Sequence, residues 1–148
     1  MIEVRNLNKS FGNFKSLDNL SLNVKKGSVY GLVGPNGAGK TTFIKNLMGI
    51  YRPDSGSMTV DGEEVYENPA LKQKIIYISD DLFFFTTYSI LDTAKLYADI
   101  YKDWDWETFN KLKEIFKIDV KRKCCRLSKG MQKQVAFWLG ICTNRLNG

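Results

Sequence analysis

The residues from Gly34 to Thr41 read Gly-Pro-Asn-Gly-Ala-Gly-Lys-Thr, a spacing of glycine, lysine and threonine that can bind the phosphates of a nucleotide. The glycines let the backbone approach a phosphate closely, and the loop N–H groups face the anion with the positive end of the following helix. Lys40 supplies a charge for the β and γ phosphates, and the Thr41 hydroxyl is the expected ligand of a phosphate-bound Mg²⁺. Thr42 is expected to contact the α phosphate. The predicted phosphate-contacting residues are Gly34, Asn36, Gly37, Ala38, Gly39, Lys40, Thr41 and Thr42.

The segments on either side of this loop have the strand and helix patterns that flank a phosphate-binding loop. Residues 28–33 are apolar and β-prone, whereas residues 42–48 carry apolar side chains at helical spacing and Gly49 is placed to end the helix. The sequence therefore predicts a strand, a glycine loop and a helix. The competing interpretation is a glycine-rich turn with an incidental lysine, which requires the motif and both flanks to coincide by chance.

Composition places the chain among globular proteins. Its 148 residues are 43% apolar and 26% charged, and no apolar stretch approaches the roughly 18 residues needed to span a bilayer. With no secretory signal before the first strand pattern, we expect a cytoplasmic location. The three cysteines lack the CxxC spacing and the chain has no His, so reduced structural thiols are expected rather than a zinc site.

The net charge of +6 raises the question of an anionic partner. The densest basic cluster consists of Lys121, Arg122, Lys123, Arg126, Lys129 and Lys133. This cluster can be interpreted as a nucleic-acid patch or as a solvated connector and helix face. No aromatic-basic recognition motif accompanies it, so we favour the solvated face and do not expect nucleic acid as a partner.

The first part of the chain reads as β structure. Residues 2–4 and 20–24 alternate between apolar and polar side chains, and Asp61-Gly62 between two β-prone runs predicts a tight hairpin. We expect these strands to form an antiparallel sheet. Residues 75–78 are a short, continuous apolar run that predicts a buried parallel strand.

The later part of the chain reads as helical. A capping box at Ser89 and Asp92 predicts one helix start, a second helix is expected near Asp105, and a third from about Lys129. Each helix carries apolar or aromatic residues on one face. We interpret these aromatic stripes as core packing rather than as a cofactor site.

The third predicted helix begins with a second motif, because residues 127–132 read Leu-Ser-Lys-Gly-Met-Gln. Together with the phosphate loop, this segment resembles the Leu-Ser-Gly-Gly-Gln signature of the ATP-binding subunits of ABC transporters. The form with Lys third and Met fifth is similar to that of bacterial exporter ATPases. The resemblance covers the whole chain and implies an α/β fold, with a P-loop NTPase (RecA-like) core, an antiparallel β subdomain and an α-helical subdomain. It assigns residues 1–82 to the β subdomain and phosphate-loop core, and residues 83–148 to the helical subdomain and signature helix.

The resemblance also implies a composite site for ATP and Mg²⁺. Ser128 and Gly130 are expected to face the γ phosphate held by a second ATP-binding subunit, which gives a head-to-tail dimer. Phe11 matches the place where the family stacks an aromatic ring on adenine, although an ordinary core or surface phenylalanine is the alternative. Asp80 stands where the family usually has a Gln that binds Mg²⁺ and the attacking water. A carboxylate can also coordinate Mg²⁺, so Asp80 is expected as a second metal ligand, although it departs from the family's Gln.

The family implies a transmembrane permease as partner, and with it a peripheral location on the inner face of the cell membrane. The helical region is expected to dock the permease, and residues 83–85, three phenylalanines, suit either a docking groove or buried packing. Two other functions compete with this one. They are a soluble ABC ATPase that acts on nucleic acid or ribosomes, and a non-catalytic interaction fragment.

The family's domain continues past the position of residue 144 into the Walker B strand, which ends in Asp-Glu, and then to a switch His. The chain ends at Gly148 and has no His. We therefore expect a domain truncated before the Walker B strand, which binds Mg·ATP weakly and hydrolyses it little. The exposed sheet is expected to favour self-association.

Overall fold

The computed structural model describes residues 1–79, 82 and 84–143. The chain divides into two compact units, the first comprising Met1–Ile75 and the second starting at Ile76. Each unit contains its own hydrophobic cluster. The subdomain assignment implied by the family resemblance, with residues 1–82 in one part and 83–148 in the other, stays a prediction.

The first unit is built on a four-stranded antiparallel sheet with strand order β2-β1-β3-β4. The strands are β1 (Ile2–Phe11), β2 (Phe14–Val24), β3 (Ser55–Val60) and β4 (Glu63–Glu64). Asp61 and Gly62 join β3 to β4 with φ values of 49° and 83°, as a tight hairpin turn with two left-handed residues requires. The antiparallel sheet and its hairpin are confirmed.

Two helices complete the first unit, α1 (Lys40–Leu47) and α2 (Pro69–Lys72). Phe43, on the inner face of α1, is buried in the core of this unit. Gly49, with φ at 62°, follows the end of the helix as predicted. The buried apolar residues of this core are Val4, Leu7, Leu17, Phe43, Met58, Val65 and Leu71. The phosphate-loop helix is thereby fixed to the antiparallel sheet.

The second unit is helical. Its elements are α3 (Ile90–Ile100), α4 (Trp106–Phe116), a short 3-10 turn (Cys124–Arg126) and α5 (Lys129–Ile141). Ser89, Asp105 and Ser128 cap α3, α4 and α5 through their side chains, and the capping box of α3 is complete. All three predicted helix starts are confirmed. In the described part of the chain, none of the helices has the length and apolar character to cross a lipid bilayer.

Trp138 lies at the centre of the second core. Its ring stacks on Phe109 at a centroid distance of 4.7 Å, and its Nε1 donates to the Phe109 carbonyl oxygen at 3.1 Å. Cys124 and Cys142 are buried free thiols, while Cys125 is exposed. Burial raises the pKa of the Cys142 thiol to about 12. The inner residues of the aromatic stripes therefore serve core packing.

Two predicted strands are absent from the structure. Residues 28–33 and 75–78 form no strand, and Val29 and Val33 are almost fully exposed, at 103% and 95%. A parallel strand in the middle of a sheet is stable only between hydrogen-bonded neighbours, and no strand of the described chain pairs with either segment. The β-prone composition of both segments led to predictions that are wrong for this structure.

Candidate functional site

The phosphate loop leads directly into α1 and depends on glycine at its last position. Gly39 is the N-cap of α1, with φ at 81°, and contributes no side-chain capping hydrogen bond. A Cβ atom at this position would lie 2.4 Å from the Ser16 carbonyl oxygen and 2.9 Å from Cδ2 of Leu17. Both the left-handed backbone and the close contact with β2 therefore require glycine here.

The N–H groups of the loop are available to a ligand. Ala38 donates its N–H to the Pro35 carbonyl oxygen at 3.2 Å. The N–H groups of Gly37, Gly39, Lys40 and Thr41 donate to no acceptor within residues 1–79, 82 and 84–143. These donors stand at the positive end of the α1 dipole, where an anion is stabilised. The loop thus has the chemistry of a phosphate cradle, and it fits the triphosphate of a nucleotide.

Lys40 folds back over its own loop. Its Nζ donates to the carbonyl oxygens of Gly34 at 2.5 Å and Pro35 at 2.7 Å. An ionised phosphate oxygen is a stronger acceptor for an ammonium group than a neutral carbonyl. A nucleotide can therefore draw the Lys40 ammonium from these two carbonyls to its β and γ phosphates.

The two threonines that follow have different surroundings. Thr41 is exposed, whereas Thr42 is half-buried and its Oγ1 lies 2.8 Å from Oγ of Ser16. That hydrogen bond connects α1 to β2. A single exposed hydroxyl suits an Mg²⁺ ion whose other ligands are phosphate oxygens and water.

No independent metal centre is found in the described residues, since no group of three or more His, Cys, Asp or Glu side chains could hold an ion. Asp80, the second predicted metal ligand, lies outside the described residues.

Phe11 lies at the end of β1, beside the Gly12-Asn13 turn, and is 44% exposed. Phe11 and the phosphate loop both contact the β1–β2 hairpin. Phe11 pairs with Phe14 of β2, and Ser16 of β2 lies against Gly39 of the loop. Sequence reasoning missed the neighbour of Phe11. Tyr51 meets it edge-on, with the ring centroids 5.2 Å apart and the planes at 68°. No motif marks Tyr51, because this contact joins residues distant in the chain.

An ion pair lies beside Phe11. Lys9 Nζ is 2.7 Å from Oδ1 of Asp54 and 5.5 Å from the centre of the Phe11 ring. The Ser10 N–H also donates to Asp54, at 2.6 Å. The hydrogen bond from Lys9, followed by that from Ser10, holds the pKa of Asp54 below its usual range. The carboxylate is therefore ionised at neutral pH and fixes the Lys9 side chain.

The signature segment begins α5 in the second unit. Ser128 is the N-cap, and its Oγ accepts a hydrogen bond from the Met131 N–H at 3.3 Å. Leu127 is buried and anchors the segment, while Ser128 and Gly130 are exposed. A Cβ atom at Gly130 would meet nothing within 4 Å. The segment is thus an open helix terminus that a partner can approach.

Comparison with known proteins identifies relatives of this chain. The family model described as ABC transporter matches residues 17–145. The ABC transporter ATP-binding protein YtrB of Bacillus subtilis is 34% identical over 141 residues, covering 95% of this chain and 48% of YtrB. The galactose/methyl galactoside import ATP-binding protein MglA of Clostridium perfringens is 52% identical over 65 residues, 44% of this chain and 13% of MglA. The chain thus spans about half the length of YtrB.

Solved structures share the fold. An ATP-binding subunit of an ABC transporter superposes with a TM-score of 0.85 at 22% identity, covering 97% of this chain and 62% of that one. The ATP-binding cassette MJ0796, solved as a dimer with ADP and Pi, gives a TM-score of 0.75 at 20% identity and covers 97% of this chain and 70% of that one. These similarities confirm the predicted α/β P-loop NTPase fold class. Because the family model matches most of its length, the chain belongs to the ABC transporter ATP-binding protein family.

Proposed function

We propose that this chain is the ATP-binding component of an ABC transporter and that it binds Mg·ATP at residues 34–42. The observation that carries the proposal is the set of unbonded N–H groups around Gly39, at the start of α1, beside a lysine that can reach a phosphate. The names of YtrB and MglA as ATP-binding proteins support it. Such a loop has a pronounced preference for a polyphosphate over an uncharged ligand.

Each part of the site has a proposed role. Lys40 contacts the β and γ phosphates, Thr41 holds Mg²⁺ through its hydroxyl, and Phe11 stacks on adenine. An Mg²⁺ ion held at Thr41 would supply positive charge that neutralises the phosphates. The contact of Thr42 with the α phosphate uses the proton of its hydroxyl, since Oγ1 can accept from Ser16 at the same time. The metal role of Asp80 stays a prediction.

The second half of the site comes, in this proposal, from another ATP-binding subunit. Ser128 and Gly130 present the exposed start of α5, and the N–H groups of a helix start suit a γ phosphate. The dimeric state of MJ0796 with ADP and Pi supports a pairing of this kind. Two nucleotides then lie between two head-to-tail subunits.

The proposed partner on the membrane side is a transmembrane permease, and the proposed location is the inner face of the cell membrane. ATP hydrolysis coupled to transport is proposed for the assembled transporter, and the low turnover expected of this chain alone stays a prediction. Export as the direction of transport also stays a prediction. MglA, by contrast, is named for the import of galactose and methyl galactoside.

Isothermal titration calorimetry of the whole chain with Mg·ATP tests the proposal. Lys40→Ala is expected to weaken binding about 10- to 100-fold, because charge-assisted hydrogen bonds to the phosphates are lost. Lys113→Ala is the matched control, since it removes an exposed lysine from α4 in the other unit. Wild-type protein that is folded yet gives no heat with Mg·ATP would overturn the proposal, as would equal weakening by both substitutions.

A further inference from the structure

The ring of Phe11 is held from two sides although it stands at the end of a strand. Tyr51 packs against the ring in a T-shaped arrangement, with centroids 5.2 Å apart, and the Lys9 ammonium lies over the ring at 5.5 Å. Lys9 is itself fixed, because its side chain is only 16% exposed and its ammonium pairs with Asp54. These contacts restrict the orientation of Phe11 while 44% of the residue remains exposed.

Tyr51 is anchored in turn to the phosphate-loop helix. Its backbone N–H donates to the Lys45 carbonyl oxygen at 3.2 Å. The Lys45 ammonium lies 3.4 Å from the Tyr51 hydroxyl and 5.3 Å from the centre of its ring. Lys45 belongs to the last turn of α1, the helix that begins at the phosphate loop. The Phe11 ring and the phosphate cradle are therefore connected through one short helix.

This arrangement suits a flat aromatic ligand. Tyr51 and the Lys9 ammonium both contact the Phe11 ring, and 44% of the residue remains exposed to a ligand. A stacking surface that is already oriented avoids the entropy cost of fixing the ring when a ligand binds. A purine offers a larger π-surface to such a ring than a pyrimidine does.

We infer that Tyr51 is a positioning residue for base recognition: it holds Phe11 in the orientation that stacks the purine of a nucleotide whose phosphates lie at the start of α1. The inference rests on the proposed function, since it assigns Phe11 to the base of the same nucleotide. Tyr51 itself contacts Phe11 rather than the ligand. Its loss should therefore affect ligands that carry a base and spare ligands that do not.

Calorimetry with two probes tests this inference. Mg·ATP carries a base, whereas inorganic tripolyphosphate with Mg²⁺ offers a phosphate chain alone. Tyr51→Ala is expected to weaken ATP binding about 3- to 10-fold, the scale of one lost aromatic contact, and to leave tripolyphosphate affinity unchanged. Tyr51→Phe should retain wild-type ATP affinity, because the aromatic ring that contacts Phe11 remains. Tyr66→Ala is the control, since it removes a half-buried tyrosine that packs on Arg52 in the same unit.

The outcomes separate the inference from the proposed function. If the wild type binds ATP and Tyr51→Ala weakens both probes equally or neither, the positioning role is wrong and nucleotide binding stands. If folded wild type binds neither probe, the proposed function is wrong and the inference falls with it. Should Tyr51→Ala fail to fold by circular dichroism, Lys9→Met removes the other support of Phe11 and must show the same selective loss for ATP.

Discussion

The first turns of α1 and α5 both have backbone N–H groups without a partner inside the helix, but only α5 has an N-cap side chain that accepts a hydrogen bond from one of them. At α1 the N-cap is Gly39, which has no side chain to accept a hydrogen bond. At α5 the N-cap is Ser128, whose Oγ accepts from Met131 at 3.3 Å. The first terminus leaves its donors to a ligand, and the second satisfies one donor itself.

This difference distinguishes the proposed nucleotide site at α1 from the stable helix end at α5. The α1 terminus combines a glycine cap, a neighbouring lysine and close contact with β2, so its shape is set before any ligand arrives. The α5 terminus is stable without a ligand and presents Gly130 to solvent. The comparison therefore predicts that substitutions at α1 affect nucleotide binding and stability together, whereas those at α5 affect stability alone in the isolated chain.

The glycines at the two termini give the largest expected contrast. Gly39→Ala forces a left-handed alanine and places Cβ 2.4 Å from the Ser16 carbonyl oxygen. We expect it to lower the free energy of unfolding by about 2–4 kcal/mol and to abolish ATP binding. Gly130→Ala, with open space around its Cβ, should be neutral or stabilise the protein by up to about 1 kcal/mol.

Chemical denaturation and calorimetry of the two variants measure this contrast. Equal stability of Gly39→Ala and Gly130→Ala would show that the α1 terminus is no more constrained than the α5 terminus. If Gly39→Ala still binds ATP, the glycine cap is not required for the proposed site.

Replacing the cap of α5 has a smaller expected effect. Ser128→Ala removes the acceptor for the Met131 N–H and should cost about 1 kcal/mol of stability. Ser128→Asp is the matched control, because a carboxylate also caps a helix. Urea denaturation measures both, and calorimetry of the monomeric chain should find ATP affinity unchanged in each, because the contact proposed for Ser128 needs a second subunit. A loss of ATP affinity in the isolated chain would mean that the two termini are not independent.

The smallest expected effect is the pH dependence of a third helix cap, Asp105 at the start of α4. The hydrogen bond from the Thr108 hydroxyl, followed by that from its N–H, lowers the pKa of Asp105 from its ordinary value of 3.8. The folded-state pKa is thus below the unfolded one, so this cap stabilises the fold above the unfolded pKa and loses that effect as pH falls through the folded value.

An NMR pH titration measures this loss. The Thr108 amide signal should shift with a midpoint below 3.8, while the Met131 amide, capped by a serine that does not titrate, should show no such transition. Asp105→Asn should remove the transition at Thr108. A midpoint at or above the ordinary value for Asp105 would contradict the hydrogen bonds to its carboxylate.

Local signals in the sequence predicted much of this molecule. The capping box at Ser89 and Asp92 and the Asp61-Gly62 turn are each formed by residues within one turn of each other, so their patterns are complete in the sequence. The phosphate loop is local in the same sense. Its motif marks both the left-handed Gly39 and the lysine beside it.

Features that depend on distant partners were not predictable in this way. Residues 28–33 have the composition of a strand, but a parallel strand needs neighbours that no local pattern supplies. The contacts of Tyr51 with Phe11, and of Ser16 with Gly39, likewise join segments that only the folded sheet brings together. For the candidate site, the sequence therefore predicted the residues that are proposed to contact phosphate but not those that position them.

The fold-back of Lys40 has a consequence for which anions the loop admits. With two carbonyl oxygens as its partners, the ammonium is already solvated by the protein when no nucleotide is present. A chloride ion, with one charge and no directional oxygens, gains little by displacing both partners. A triphosphate brings several charged oxygens and can also accept from the loop amides. The fold-back of Lys40 therefore favours a polyanion over a monovalent anion as the ligand that displaces the two carbonyl oxygens.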